Sequence, residues 1–259
     1  MAAQPPASPT APVRTVNPNG RSPLVLVCEH ASAHIPERFD HLGLPPEARE
    51  THIAWDPGAL AVAERMSKKL DARLVAGTLS RLIYDCNRPP DAPDAMPDRS
   101  EAYDIPGNVD LSDAEKDARI KGIYEPFHAV VAQMLAKSPK AVCVTVHSFT
   151  PTYHGQPRSV EIGVLHDEDA RLADAMLAIA AQHTLMRVER NAPYGPQDGV
   201  THTLQRHALP AGHPNVMIEV RSDLIATSAE QQAMGTMLAH WISAACGDID
   251  TIGVIKCTA

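Results

Sequence analysis

Two histidines in this 259-residue chain follow directly on short apolar runs. In LVLVCEHASAHIP (24–36) the run Leu24–Cys28 leads into Glu29, His30, Ser32 and His34, and in VCVTVHSFT (142–150) an apolar stretch leads into His147. Buried strands that end in polar residues deliver them to the C-terminal edge of a sheet, where open α/β sheets place ligands. A neutral imidazole in such a position can ligate a metal ion, and two strands with the same ending favour a shared site more than either does alone. Hydrolytic zinc sites combine three N or O ligands with an open position for water, so a carboxylate is needed beside His30 and His147. Asp56, in WDPG (55–58), is the preferred third ligand, although an Asp before Pro is also what a helix N-cap looks like. Glu29 is the alternative.

Three further stretches carry polar chemistry. In SRLIYDCNRP (80–89) an apolar segment is bracketed by Arg81 and by Asp85, Asn87 and Arg88. Guanidinium and amide groups together suit a substrate carboxylate and a developing oxyanion, with a surface ion-pair loop as the plainer reading. In PNVMIEVRSDL (214–224) a strand period of two puts Met217, Glu219 and Arg221 on one face. A charge in a buried strand is costly unless paired or used, so Glu219 is either the partner of Arg221 or a general base with a raised pKa. The base is the preferred role, leaving Arg221 to meet an anionic substrate or to orient Glu219. The Gly- and Pro-broken stretch 191–207 holds Asp198, Thr201, His202 and His207 and could close over a site. Cys28 beside His30 suggests a thiol nucleophile, but adjacent residues of an extended chain point to opposite faces, and no cationic terminus is evident to activate it.

The elements that must position these residues are signalled by period and by start chemistry. Short apolar runs at 24–28, 73–76, 82–84, 141–146, 160–165 and 216–220 read as buried strands and alternate with segments of helical period, which favours a layered α/β fold. Asp56-Pro57 precedes Leu60, Ala63, Met66 and Leu70 on one helical face. Ser112 with Glu115 and Ser228 with Gln231 read as capping boxes ahead of apolar helices. Residues 88–108, rich in Pro and Asp, are long for a connector and are a candidate lid or rim loop. Residues 1–22, rich in Pro, Ala, Ser and Asn, read as an unordered tail, with a single domain over 23–259.

Composition narrows the class. A formal net charge of −8 argues against non-specific affinity for nucleic acid. Five scattered cysteines without a CxxC pair suggest neither a disulfide framework nor a thiolate metal site, and point to a reducing compartment. No apolar run is long enough to span a bilayer and the N-terminus has no signal-peptide pattern, so a cytoplasmic protein without a membrane partner is expected.

Taken in order, CEHASAHIP, WDPGA, SRLIYDCNRP, HSFTP and PNVMIEVRSDL resemble the N-formylglutamate amidohydrolase (deformylase) family from about Pro23 to Trp241. That family is similar in turn to zinc carboxypeptidases and aspartoacylase-type deacylases. The resemblance implies a three-layer αβα domain around a mixed sheet, of phosphorylase/hydrolase-like type. It also implies a cytoplasmic amidohydrolase of amino-acid catabolism that uses one divalent ion, with zinc expected, held by His30, His147 and Asp56. Glu219 would be the acid/base, Arg88 a catalytic contact to the scissile carbonyl, and Asn87 with Arg88 the carboxylate-binding pair. Arg81 and Arg221 would be further anion contacts, with Ser32 and His202 beside the substrate. The implied substrate is a small N-acyl acidic amino acid such as N-formyl-L-glutamate, giving formate and glutamate. Two departures stand out: the HxxE pair of the carboxypeptidase-like relatives is absent, since Ala33 follows His30 by three, and CEHAS replaces a PHSG-type motif. The rivals are a non-catalytic anion-binding module on the same fold and a hydrolase dependent on Cys28.

Overall fold

The computed structural model describes residues 11–249 and 255–257. Its strands and main helices are, in chain order, β1 (Val13–Val16), β2 (Leu24–Cys28), α1 (Pro46–Arg49), α2 (Ala59–Leu70), β3 (Arg73–Gly77), β4 (Arg99–Ser100), β5 (Tyr103–Asp104), α3 (Asp113–Arg119) and α4 (Glu125–Leu135). There follow β6 (Val142–Phe149), β7 (Thr152–Tyr153), β8 (Gln156–Pro157), β9 (Ile162–Leu165), α5 (Arg171–His183), β10 (Val188–Arg190), β11 (Asn215–Arg221) and α6 (Ser228–Gly247). Seven strands form one mixed sheet in the order β1-β3-β2-β6-β11-β9-β10. The pairs β3–β2, β2–β6 and β6–β11 at its centre are parallel, while β1 and β9 run antiparallel to β3 and β11.

The central strands are apolar on both sides because both faces are covered, as parallel sheets require. Alternate residues such as Leu26, Val144 and Ile218 pack under α2, α5 and α6, around the fully buried Trp241. The intervening residues, among them Val27, Cys143 and Met217, face Phe127 and Val131 of α4 and the long connections. The result is the three-layer αβα arrangement expected from the sequence.

Four local expectations are corrected. Residues 13–16, assigned to the tail, form the edge strand β1 and pair with β3; residues 1–10 of that tail lie outside the described residues. Leu82–Tyr84 is no strand. Its carbonyls are taken by side chains, Leu82 O by Asn108 Nδ2 and Ile83 O by Arg119 Nη1, while the Leu82 and Ile83 N–H groups fold back on Ser80. The cap of α6 sits one residue earlier than expected, on Thr227 and Glu230. That choice puts a carboxylate at the helix N-terminus instead of an amide, which the helix dipole favours. Finally, α2 begins at Ala59 after Gly58, whose φ of 82° suits glycine, and no side chain caps it. Asp56 is thereby released for another task. The Ser112–Glu115 box ahead of α3 is present as read.

Candidate metal centre

Parallel strands β2, β6 and β11 end together, and the residues at their C-terminal ends meet on the α4 side of the sheet. His147 and Glu219 are register partners on adjacent strands. His30 lies just past β2, and the turn before α2 is tied beneath it by the Asp56 N–H bond to the His30 carbonyl. Gly77 ends β3 without a side chain, and a Cβ there would run into the Glu29 carbonyl oxygen, so the close approach of these two strand ends depends on glycine. All these groups are buried, His147 to 1% and Glu219 to 4% exposure.

The two imidazoles turn their Nδ1 atoms to the same oxygen. Asp56 Oδ2 lies 2.9 Å from His147 Nδ1 and 3.3 Å from His30 Nδ1. The far nitrogens also face carboxylates: His30 Nε2 is 2.7 Å from Asp85 Oδ1, and His147 Nε2 is 3.1 Å from Glu29 Oε2. The second contact is at ion-pair distance but poorly aligned for a hydrogen bond, since neither atom has a hydrogen-bond partner among the described residues. A neutral imidazole has one N–H. If each ring gives its proton to the outer carboxylate, two lone pairs and a carboxylate oxygen point at one another, with ligand atoms of His30, Asp56 and His147 all within 4.8 Å. A cation satisfies that arrangement.

Charge points the same way. Four buried carboxylates (Glu29, Asp56, Asp85 and Glu219) surround one guanidinium, Arg81, which pairs with Asp85 and lies 3.6 Å from Asp56. Burial works against the charged forms of Asp56, Asp85 and Glu29, but the imidazoles, with Arg81 beside Asp85, hold all three below the usual carboxylate range. Burial likewise opposes the protonation of His147, yet Glu29 and Asp56 drive its pKa well up; His30 rises through Asp85 and Asp56 against burial and Arg81. Glu219 is the exception. Burial, with help from the Asp56 charge, raises it to about 7 against His147, His30 and Arg81. The raised imidazole pKa values show how strongly the surrounding carboxylates favour positive charge at this point; a divalent ion would take the place of the two imidazolium protons, and a set of two imidazoles and a carboxylate is a donor set that zinc accepts.

Above this centre opens a cavity of about 940 Å³, lined by His30, Asp56, Arg81, Asn87, His147 and Glu219 among others. Arg88 also lines it, bonded to Asp94 and to the Asn87 and Gly199 carbonyls. Asn87 is itself fixed, donating to Val200 O and accepting from Thr203 N. The 88–108 loop, folded into the β4–β5 hairpin, stands at the cavity rim as expected of it.

Three expected contacts lie elsewhere. Arg221, the last residue of β11, is outside the lining and pairs with Asp223 and Glu161. Ser32 is spent on a local turn, accepting from the His34 N–H. His202 lies behind the 85–88 segment, 2.9 Å from Tyr124 Oη, in a cluster with His128 and His207. Cys28 is fully buried in the opposite core, and burial, with Asp56 and Glu29, drives its thiol pKa well up, so it is no nucleophile. Residues that the sequence left unassigned include Asp85 and Tyr194, visible in their stretches (80–89 and 191–207) but given no role, and Arg158, which no sequence signal marked.

The family model of N-formylglutamate amidohydrolase matches residues 22–226. The chain belongs to that family. It is therefore a hydrolase acting on an amide bond. Among solved structures, the family member is similar to a gene product of Agrobacterium tumefaciens, with 53% identity over 93% of this chain and 96% of the other and a TM-score of 0.90. It shares its fold with an N-formylglutamate amidohydrolase from Ralstonia eutropha, at 20% identity, TM-score 0.61, and 90% and 98% coverage. No curated protein matches the amidohydrolase chain. No helix of the described residues is long and apolar enough to cross a membrane.

Proposed function

We propose that the protein hydrolyses the N-formyl group, or another small N-acyl group, of an acidic amino acid such as N-formyl-L-glutamate, using a divalent ion held by His30 Nδ1, His147 Nδ1 and Asp56. The observation that carries this reading is the convergence of those donors on one point, with a carboxylate behind each ring. Outer carboxylates of this kind fix the imidazole tautomer and raise ligand basicity. A zinc ion there supplies Lewis acidity and lowers the pKa of water.

The chain's own groups do the rest. Glu219, pushed up to about 7, sits near neutrality, where a general base can take a proton from the attacking water and return it to the leaving nitrogen. Arg81, 3.6 Å from Asp56, is the guanidinium beside the donor set and faces the negative charge that develops on the carbonyl oxygen, while Arg88, held by Asp94 and by two backbone carbonyls, lines the same cavity. Asn87 keeps the Arg88 segment in register through its two backbone bonds.

The test is formate release from a panel of N-formyl amino acids, with and without chelator, beside metal analysis of the purified protein. Glu219→Gln is expected to lose a factor of about 10²–10⁴ in turnover while keeping its metal. His147→Ala is expected to lose both. Unchanged turnover in Glu219→Gln, or activity indifferent to metal removal, overturns the reading.

A further inference from the structure

We infer that Arg158, a residue outside the centre described above, is the carboxylate-binding residue of the cavity; this rests on the proposed substrate class. Four arginines line the cavity: Arg81, Arg88, Arg99 and Arg158. Arg81 is committed to Asp85 and Asp56, Arg88 to Asp94 and Arg99 to Asp104. Arg158 has no carboxylate partner among the described residues. Its guanidinium donates only to neutral groups: Nη2 to Tyr194 Oη at 2.8 Å, and Nη1 to the carbonyl and hydroxyl of Thr150 at 3.3 and 3.4 Å.

The setting is built to hold a cation with its charge unspent. Arg158 Cζ lies 4.6, 4.9 and 5.5 Å from the ring centroids of Tyr153, Tyr194 and Phe149. Aromatic faces stabilise a guanidinium without neutralising it, and they remove water from its flanks, which strengthens an ion pair formed with an incoming anion. The cage is positioned from two directions. The β7–β8 hairpin turns through His154 and Gly155, both at positive φ as a tight hairpin requires, and returns Arg158 beside β6. Tyr194 arrives from the other side on a segment that crosses β9 at Gly163, where a Cβ would meet the Ala192 carbonyl. Burial and the charge of Glu219 raise the Tyr194 pKa, so its hydroxyl stays protonated. That oxygen accepts from Arg158, which leaves its own O–H to donate to a ligand. A carboxylate facing Arg158 thus meets a charged donor and a hydroxyl donor in the same cavity whose lining holds His30, His147 and Glu219.

Calorimetric titration of the wild type, Arg158→Gln and Arg158→Lys with L-glutamate, and with glutamine amide as the analogue lacking both carboxylates, tests this. L-Glutamate is expected to bind the wild type and to weaken by about 10–100-fold in Arg158→Gln, with Arg158→Lys in between and the diamide unchanged across all three. Thermal melting of each variant separates lost binding from lost fold, and Arg158→Lys, which keeps the stem and charge, stays informative if Arg158→Gln does not fold. Equal losses for glutamate and the diamide, or no loss, or no glutamate binding by the wild type, overturn the assignment. Arg158-dependent glutamate binding without formate release from any N-formyl amino acid would retain the carboxylate site and reject the deformylase reading instead.

Discussion

Replacing Asp85 with Asn asks whether the cluster around His30 is a metal centre or only a knot of ion pairs. Asp85 Oδ1 lies 2.7 Å from His30 Nε2 and accepts from the Asn87 backbone N–H at 2.8 Å, while Oδ2 accepts from Arg81 Nη2. Asparagine keeps the volume but only one acceptor oxygen. Its amide nitrogen must then face either the imidazole N–H or the guanidinium, donor against donor. Outer partners of ligating histidines carry a factor of about 10–100 in metal affinity or activity, equivalent to about 1.4–2.8 kcal/mol at 1.4 kcal/mol per decade. The cost in folding is smaller than the about 3–5 kcal/mol of a stranded buried charge, because Arg81 still lies 3.6 Å from Asp56. At about 2–4 °C per kcal/mol for a chain of this size, a fall in Tm of several degrees is expected. Metal retention against graded chelator, read by atomic absorption with melting curves on the same samples, measures both. An Asp85→Asn protein that folds and holds its ion within about twofold of the parent refutes the orienting role, since that role requires at least about tenfold.

Three other outcomes follow from the same geometry. Gly77→Ala places a methyl group against the Glu29 carbonyl, so a stability loss of about 1–3 kcal/mol is expected in denaturant titration, together with weaker metal retention. Burial, with neighbouring cations, lowers His128 to about 2 and His202 and His207 to about 4; the folded chain therefore binds fewer protons than the unfolded chain below the ordinary imidazole range near pH 6.5. Their contribution is full above about pH 6.5 and is lost as pH falls from there, toward 4 for His202 and His207 and toward 2 for His128, so Tm should drop over that window, and His128→Gln should flatten the drop by up to one proton per chain. Thr227→Ala removes the hydroxyl that accepts from the Glu230 N–H at 3.3 Å, a loss of about 1 kcal/mol readable in urea titration with metal retention unchanged.

Much of the centre was legible because its residues sit where patterns end. Apolar runs 24–28 and 142–146 stop at His30 and His147, and the period-two run through Ile218 exposes Glu219 as a charge on a buried face. Those are local signals. Asp56 was ambiguous for a physical reason: the tripeptide Asp-Pro-Gly fits an N-cap and a ligand turn equally well, and only the positive φ of Gly58, which starts the helix later, frees the carboxylate. Leu82–Tyr84 misled in the opposite way. Its composition suits a strand, but strand formation needs a partner backbone, and Asn108 and Arg119, 26 and 36 residues downstream, had already taken the carbonyls. The edge strand β1 carries too few apolar residues to register as a strand, and forms because β3 offers it an open edge.

The arginines set the boundary between what residue type reveals and what partnership decides. Arg81, Arg88 and Arg221 all read as anion binders, since each stands in a polar motif near a strand end. In the folded chain each has a carboxylate of its own, and a guanidinium already neutralised attracts a substrate anion far less than one that is not. Arg158 stands in the hairpin sequence TYHGQPR (152–158), polar and without periodicity, so nothing local distinguishes it. Its distinction comes from a residue 36 positions away, Tyr194, and from having no carboxylate at ion-pair distance among the described residues. Specificity for an acidic substrate would then depend less on how many cations line the cavity than on which one the fold leaves without a counter-charge.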